Sequence, residues 1–347
     1  MSSYGISEVR PTDKRGLAEV DALLSKVGIR RDKNLDYTCV MYDDDYHAIA
    51  TGSCFGNTLR CFGVSGNHQG ECLLNEIVTH LMEVQAARGN LHLFLYTKTD
   101  SAKFFGDFGF HEIARVEDTL VFMENRRDGF SGYLAELSKA KRPGKSAAIV
   151  MNANPFTLGH QYLAETAAAA CDTLHIFMVS EDVSLVPYAV RKRLIQEGTA
   201  HLPNVVLHDS GAYIISAATF PSYFLRDETA VIEGQAKLDL QIFVKIAAAL
   251  GVTARYVGEE PSSEVTGLYN QIMQAELPKA GIDCVVIPRK QSDGRHISAS
   301  TVRQHIQRGE LDALKALLPE SGYAYFTSAD AAPVIARIRQ AHDVAHY

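Results

Sequence analysis

No apolar run in the 347-residue chain reaches the length needed to cross a bilayer, and the opening Met1-Ser2-Ser3-Tyr4-Gly5 lacks the charged-then-apolar plan of a signal peptide. No membrane association is expected, and the cytoplasm is the expected compartment. A basic surplus is missing as well: 34 Lys and Arg stand against 41 Asp and Glu, a formal net charge of -7. Binders of nucleic acid or of acidic membranes use an excess of Lys and Arg, so neither partner is expected. The six cysteines, Cys39, Cys54, Cys61, Cys72, Cys171 and Cys284, sit in apolar segments without Cys-x-x-Cys spacing. That pattern reads as reduced core thiols and argues against structural zinc. Internal repeats and low-complexity segments are absent too.

What is present is enough apolar material, 46% of residues, for a proper core, and a length that suits two domains. The chain is organised around Ala147-Ala148-Ile149-Val150-Met151-Asn152-Ala153-Asn154-Pro155-Phe156-Thr157-Leu158-Gly159-His160. A short apolar run, a turn with Asn-Pro and the mouth of an alanine-rich helix predict a strand, a tight loop and a helix N-terminus. The first N–H groups of a helix have no intrahelical partner and carry the positive end of its dipole, which suits a phosphate. Gly159 allows close approach, while Thr157 and His160 offer a hydroxyl and an imidazole to the same anion. Neither is a strong nucleophile, so the chemistry expected is stabilisation of charge developing on phosphorus. Near the other end, His296-Ile297-Ser298-Ala299-Ser300-Thr301-Val302-Arg303 reads as a second helix start with Ser298 as N-cap, presenting hydroxyls, N–H groups and a guanidinium. Taken alone, each stretch is also compatible with an ordinary helix start.

Together, Asn154-Pro155-Phe156-Thr157-Leu158-Gly159-His160 and Ile297-Ser298-Ala299-Ser300-Thr301-Val302-Arg303 resemble the (H/T)xGH and ISxTxxR motifs of the nucleotidylyltransferase superfamily, whose members cleave ATP between the α- and β-phosphates. Ser300 stands where many members have threonine. With Gly211-Ala212-Tyr213-Ile214-Ile215-Ser216, Thr219 to Leu225 and Val257-Gly258-Glu259-Glu260-Pro261, the chain resembles the citrate lyase ligase family over nearly its whole length. The fold class this implies is α/β: an N-terminal GNAT-like domain followed by a Rossmann-like, doubly wound parallel-sheet domain. The expected division is 1–130 for the GNAT-like domain, 131–145 for a linker, 146–330 for the ATP-binding catalytic domain and 331–347 for a helical tail.

In the first half, Tyr37 to Tyr42 and His47 to Ser53 flank Asp43-Asp44-Asp45 as a hairpin, Thr58 to Val64 reads as a strand, and Cys72 to Arg88 as an amphipathic helix before the strand Leu91 to Tyr96. The loop Gly66-Asn67-His68-Gln69-Gly70 before that helix resembles the coenzyme A pyrophosphate loop of GNAT proteins, but Asn67 and Cys72 depart from the family pattern. A GNAT-like cleft could instead receive the coenzyme-A-like arm of citrate lyase, or the domain could be purely structural. In the second half strands alternate with helices: Thr173 to Val179, a helix from Tyr188 to His201, Val205 to Leu207, a short strand Ala230-Val231-Ile232, a helix from Leu238 to Leu250, Thr253 to Val257 and Cys284 to Ile287. Such alternation predicts a parallel sheet with ligands beyond the carboxyl ends of its strands.

The resemblance implies an acid–thiol ligase that uses ATP and Mg²⁺. Acetate attacks the α-phosphorus to give acetyl adenylate and pyrophosphate, and the thiol of the prosthetic group on the acyl carrier subunit of citrate lyase then takes the acetyl group, releasing AMP. The implied catalytic residues are Thr157, His160 and Arg303, and the implied nucleotide-binding residues are Asn154, Pro155, Phe156, Gly159, Arg191, Gly258, Ser298, Ser300 and Thr301. No protein residue is expected as a dedicated metal ligand, although Glu259 and Glu260 could bring a carboxylate to Mg²⁺ or to ribose hydroxyls. Tyr213 to Ser216 and Thr219 to Tyr223 could line an acceptor pocket or be a buried loop. Two alternatives stay open: a transferase moving AMP or CMP onto a small phosphorylated acceptor, and a nucleotide-responsive regulatory protein.

Overall fold

The computed structural model describes residues 4–68, 72–214, 220–225, 227–259, 264–292 and 295–344. The chain divides into two compact units, Met1–Gly132 with Pro221–Leu238, and Tyr133–Phe220 with Asp239–Tyr347.

The first unit contains β1 (Ile6–Glu8), α1 (Lys14–Lys26), β2 (Tyr37–Tyr42), β3 (Ala48–Phe55), β4 (Thr58–Val64), α2 (Leu73–Ala87), β5 (Phe94–Thr97), α3 (Ala102–Asp107), β6 (His111–Val116) and β7 (Leu120–Glu124). Its sheet runs β1-β2-β3-β4-β5-β7-β6 and is antiparallel except for the β4–β5 pair. A parallel pair needs a long crossover, and α2 supplies it. This is the GNAT-like α/β order. The acidic triplet is a turn: the Asp43 carboxylate accepts N–H bonds from Asp45 (3.1 Å) and His47 (2.8 Å). Helix α2 lies so close to β3 that a Cβ at Gly52 would come within 2.6 Å of Ile77, which only glycine permits. Residues 221–225, although from the second half of the sequence, bond within this unit: the Arg30 N–H donates to the Tyr223 carbonyl (2.8 Å) and the Tyr223 hydroxyl to the Tyr96 carbonyl (3.3 Å).

Helix α4 (Gly129–Ser138) precedes the elements of the second unit: β8 (Ser146–Met151), α5 (Leu158–Ala169), β9 (Thr173–Met178), α6 (Tyr188–Thr199), β10 (Val205–Asp209), α7 (Glu228–Leu250), which through Leu238 belongs to the first unit, β11 (Val252–Gly258), α8 (Glu264–Glu276), β12 (Asp283–Ile287), a hairpin of β13 (Gln291–Ser292) and β14 (Arg295–His296), then α9 (Ala299–Arg308), α10 (Glu320–Phe326) and α11 (Ala332–Gln340). Five parallel strands stand in the order β10-β9-β8-β11-β12. The chain winds outward in both directions from β8, so β8 and β11 flank the switch point where a crevice opens beyond their carboxyl ends. Ala147, Ala148 and Ile149 are completely buried, as a strand covered on both faces requires. Val334 and Ile338 of α11 join Val302 and Ile306 of α9 in the same core.

One expected strand is not one. Ala230-Val231-Ile232 lies in the first turns of α7, a continuous helix of 23 residues. The Asp227 carboxylate accepts the Ala230 N–H (2.9 Å), the side-chain cap that starts a helix, and this outweighs the strand preference of two β-branched residues. Among the described residues no helix is long and apolar enough to cross a membrane.

Candidate active site

The turn after β8 is pinned from below. The Asn154–Pro155 bond is cis. Asn154 is buried, and its side-chain oxygen accepts the Val186 N–H at 2.9 Å. Pro155 is buried as well. Phe156 is 1% exposed and fills the space against α6 so tightly that a Cβ at Gly198 would sit 2.4 Å from its ring. The apolar part of the motif therefore shapes the loop, and the polar part lies beyond it.

Helix α5 starts with a reciprocal cap. The Thr157 N–H donates to Nδ1 of His160 (3.1 Å), the Thr157 hydroxyl lies 2.9 Å from the same nitrogen, and the His160 N–H turns back toward that hydroxyl (3.4 Å). Because an N–H donates to Nδ1, that nitrogen carries no proton, and a neutral ring must carry it on Nε2. Burial, helped by the charge of Arg289, pushes the His160 pKa down to about 4, so the neutral form holds at physiological pH. The ring stacks on Phe156 with centroids 5.7 Å apart. The result is a fixed imidazole with one N–H to donate. Of the helix's first N–H groups, that of Leu158 is used by the Leu317 carbonyl (2.9 Å), whereas that of Gly159 has no partner among the described residues.

Helix α9 repeats the plan. Ser298 is its N-cap; the hydroxyl accepts the Thr301 N–H (3.0 Å) and lies within 2.8 Å of the Ser300 and 2.7 Å of the Thr301 hydroxyls. The N–H groups of Ala299 and Ser300 have no partner among the described residues. Each helix thus presents unpaired donors at its positive end, where an anion gains most.

The two starts are joined directly. A Cβ at Gly159 would lie 3.2 Å from the Ile297 carbonyl oxygen, so backbone meets backbone at the one position of α5 that lacks a side chain. The Arg303 guanidinium donates to the Asn154 carbonyl in the first motif and to the Val344 carbonyl (2.7 Å). Arg303 is only 3% exposed, and burial pushes its pKa down to about 10. Arg191 is fully buried and donates to the carbonyls of Val186 (3.0 Å), Asn152 (2.9 Å), Val179 (2.8 Å) and Glu181. It ties the loop after β8 to the loop after β9. Both arginines, expected to face phosphates, direct these donors into the scaffold. Gly258 ends β11 beside β8; its carbonyl accepts from Asn270 (3.0 Å), and nothing lies within 4 Å of where a Cβ would be.

Residues 146–326 match the family model described as citrate lyase ligase C-terminal domain. The chain is 38% identical over 320 residues to [citrate [pro-3S]-lyase] ligase of Escherichia coli (strain K12), covering 90% of this chain and 91% of that protein. It belongs to the citrate lyase ligase family. The enzyme of the same name from Klebsiella pneumoniae is 41% identical over 277 residues, 78% of this chain and 81% of its own. Among solved structures, an acetyltransferase of GNAT family from Staphylococcus aureus Mu50 aligns with 35% of the chain and 98% of its own length, at 11% identity and a TM-score of 0.29.

In this citrate lyase ligase family member, two cations that the motifs do not contain accompany the site. Arg289 and Lys290 stand two and three residues past Ile287, the carboxyl end of β12, and Ile297 donates its N–H to the Lys290 carbonyl (3.1 Å). Their position just past a parallel strand was the available signal. Of the expected acceptor pocket, Tyr213 is buried and packs on Tyr133 with centroids 4.9 Å apart, and Phe220 and Tyr223 are buried, while Ile215 to Thr219 lie outside the described residues. Glu259 is exposed; Glu260 and Pro261 also lie outside. Among the described residues no three His, Cys, Asp or Glu side chains gather where they could hold a metal ion.

The GNAT-like unit has a cavity of about 510 Å³ lined by Phe62, Val64, His68, Cys72, Lys98 and Phe104, among others. Helix α2 opens onto it from Cys72, which has φ +59 and gives no side-chain cap. Cys72 is exposed, unlike the core thiols Cys39, Cys54 and Cys61. Gly70 of the expected pyrophosphate loop lies outside the described residues.

Proposed function

We propose that the protein is an acid–thiol ligase that uses ATP to acetylate the thiol of the prosthetic group of citrate lyase, the target that the name of its relatives gives. The observation that carries this reading is the junction of two helix starts with unpaired N–H groups, held by Gly159 against Ile297 and by Arg303 on Asn154. A triphosphate bridging both starts exposes its α-phosphorus to attack by acetate, which is already ionised at neutral pH. The C–O⁻ oxygen of acetate forms the new P–O bond while the bond to the β-phosphate oxygen breaks. His160 donates its Nε2–H to the oxygens gathering charge, and the N–H groups of Gly159 and Ser300 act with it. Such preorganised donors contribute roughly 10²–10³-fold each. Thr157 orients the imidazole, and Ser298, Ser300 and Thr301 bind the departing phosphates. Arg303, Asn154 and Arg191 hold the loops that carry these donors. In the second step the carrier thiol attacks the acyl carbon of acetyl adenylate, and AMP leaves.

Mg²⁺ enters as part of the MgATP substrate. The hydroxyl, amide and imidazole donors of the site suit an ion that arrives on phosphate oxygens, since Mg²⁺ is ordinarily held by few protein carboxylates and by the substrate itself. Residues 146–330, apart from 221–238, form the catalytic domain in this reading, the cavity beside Cys72 receives the coenzyme-A-like arm of the acyl carrier subunit, and the protein works in the cytoplasm.

The test is pyrophosphate release from MgATP with acetate, with and without deacetylated citrate lyase, for the native protein and His160→Ala. Acetate-dependent release that reactivates the lyase and is lost in the variant supports the ligase. Release only with a phosphorylated acceptor would reassign the protein to nucleotidyl transfer.

A further inference from the structure

Pyrophosphate leaves carrying several negative charges, and the two arginines of the motif region donate to backbone carbonyls. Beside the Mg²⁺ of MgATP, a cationic side chain that accompanies the leaving group has to come from elsewhere. Lys290 stands at the joint between the two helix starts. Its carbonyl holds the N–H of Ile297, the residue that abuts Gly159 and precedes Ser298. Its ammonium lies 5.7 Å from the ring centroid of Tyr162, which follows Gly159 by three residues and so shares its face of α5. The side chain is half-buried, and it forms no ion pair with a carboxylate among the described residues. A cation over an aromatic face keeps its N–H donors available on the other side.

We propose that Lys290 binds the β- and γ-phosphates of ATP and stays with them as pyrophosphate departs. The assignment rests on the adenylation proposed above and adds to it the residue that neutralises the leaving group. A lysine suits the task because a compact charge on a flexible stem follows phosphates as they move, whereas an arginine anchored by several bonds does not. Arg289, next in sequence, adds positive field: it helps keep the His160 imidazole neutral.

The experiment is calorimetric binding of MgATP and of inorganic pyrophosphate to the full chain and to Lys290→Ala and Lys290→Arg, followed by acetate-dependent turnover. Pyrophosphate affinity should fall about tenfold in Lys290→Ala and be largely restored in Lys290→Arg, the loss expected for one charge-assisted contact. The KM for MgATP should rise similarly, with the KM for acetate and the melting temperature unchanged. Unchanged pyrophosphate affinity in Lys290→Ala would overturn the proposal. So would a lowered melting temperature with loss toward all ligands and no rescue by arginine, which marks a structural role. If the native protein binds pyrophosphate through Lys290 but releases none with acetate, the ligase reading fails and the phosphate-binding assignment stands.

Discussion

Helices α5 and α2 each follow a strand and a loop, and each was expected to offer its N-terminus to a phosphate-bearing ligand. They differ in how that end is prepared. At α5, Thr157 and His160 cap one another, Leu158 is tied to Leu317, and Arg303 holds the preceding loop through Asn154. At α2, Cys72 sits in a left-handed conformation and supplies no cap. The first end holds its donors in fixed directions, which is what the proposed stabilisation of a transition state demands. The second offers mainly a cavity, which suits holding a chain rather than reacting with it.

The contrast breaks most severely if the supports of α5 are removed. Arg191→Leu should lose about 3–5 kcal/mol of stability, because several buried carbonyls lose their donor at once; denaturant melts measure it, and a change under about 1 kcal/mol would show that water takes over. His160→Ala should lower acetate-dependent pyrophosphate release by about 10²-fold with the fold intact, the size expected for one preorganised donor. A variant retaining most of its rate would remove His160 from the chemistry.

Acid should act in the same direction. The folded His160 pKa of about 4 lies below the ordinary value of 6.5, so between those values the unfolded chain takes up a proton that the folded chain refuses. Its contribution to stability is fully present above pH 6.5 and falls away toward pH 4. The His175–His208 pair, 2.9 Å apart, adds to the effect, since burial holds both below the usual range. The melting temperature should therefore drop from pH 7 to pH 5, less steeply in His160→Gln. A flat profile would mean these rings are already protonated in the fold.

The smallest test compares the caps themselves. Thr157→Ala should cost about 1 kcal/mol, as loss of an N-cap usually does, whereas Cys72→Ala should cost less than about 0.5 kcal/mol because no cap bond exists to lose. Equal losses would erase the distinction between the two helices.

Local chemistry was legible in the sequence. The helix start at Ser298, the strand, loop and helix start around Asn154-Pro155, and the alternation that builds a parallel sheet depend on neighbours within a few residues; that Thr157 caps α5 and bonds His160 was not expected, since in the sequence its hydroxyl reads as an offer to phosphate. What was not legible depends on distance along the chain. Arg303 reaches a carbonyl 149 residues earlier, and Arg191 one 39 residues earlier, so both looked like exposed phosphate ligands until folding brought carbonyls to them. Residues 221–238 belong to the first unit although their sequence neighbours belong to the second. Lys290 escaped notice because a lone Arg-Lys pair carries no pattern; only its place after β12, with Ile297 bonded to its carbonyl, sets it apart.

The Val344 carbonyl accepts from the same guanidinium that steadies Asn154. The loop after β8 and the segment at Val344 are thus two sides of one clamp, with a single side chain as its pin. A change that displaces Val344 would loosen a turn nearly two hundred residues away in sequence, so the firmness of that turn becomes a gauge of how the segment at Val344 is seated.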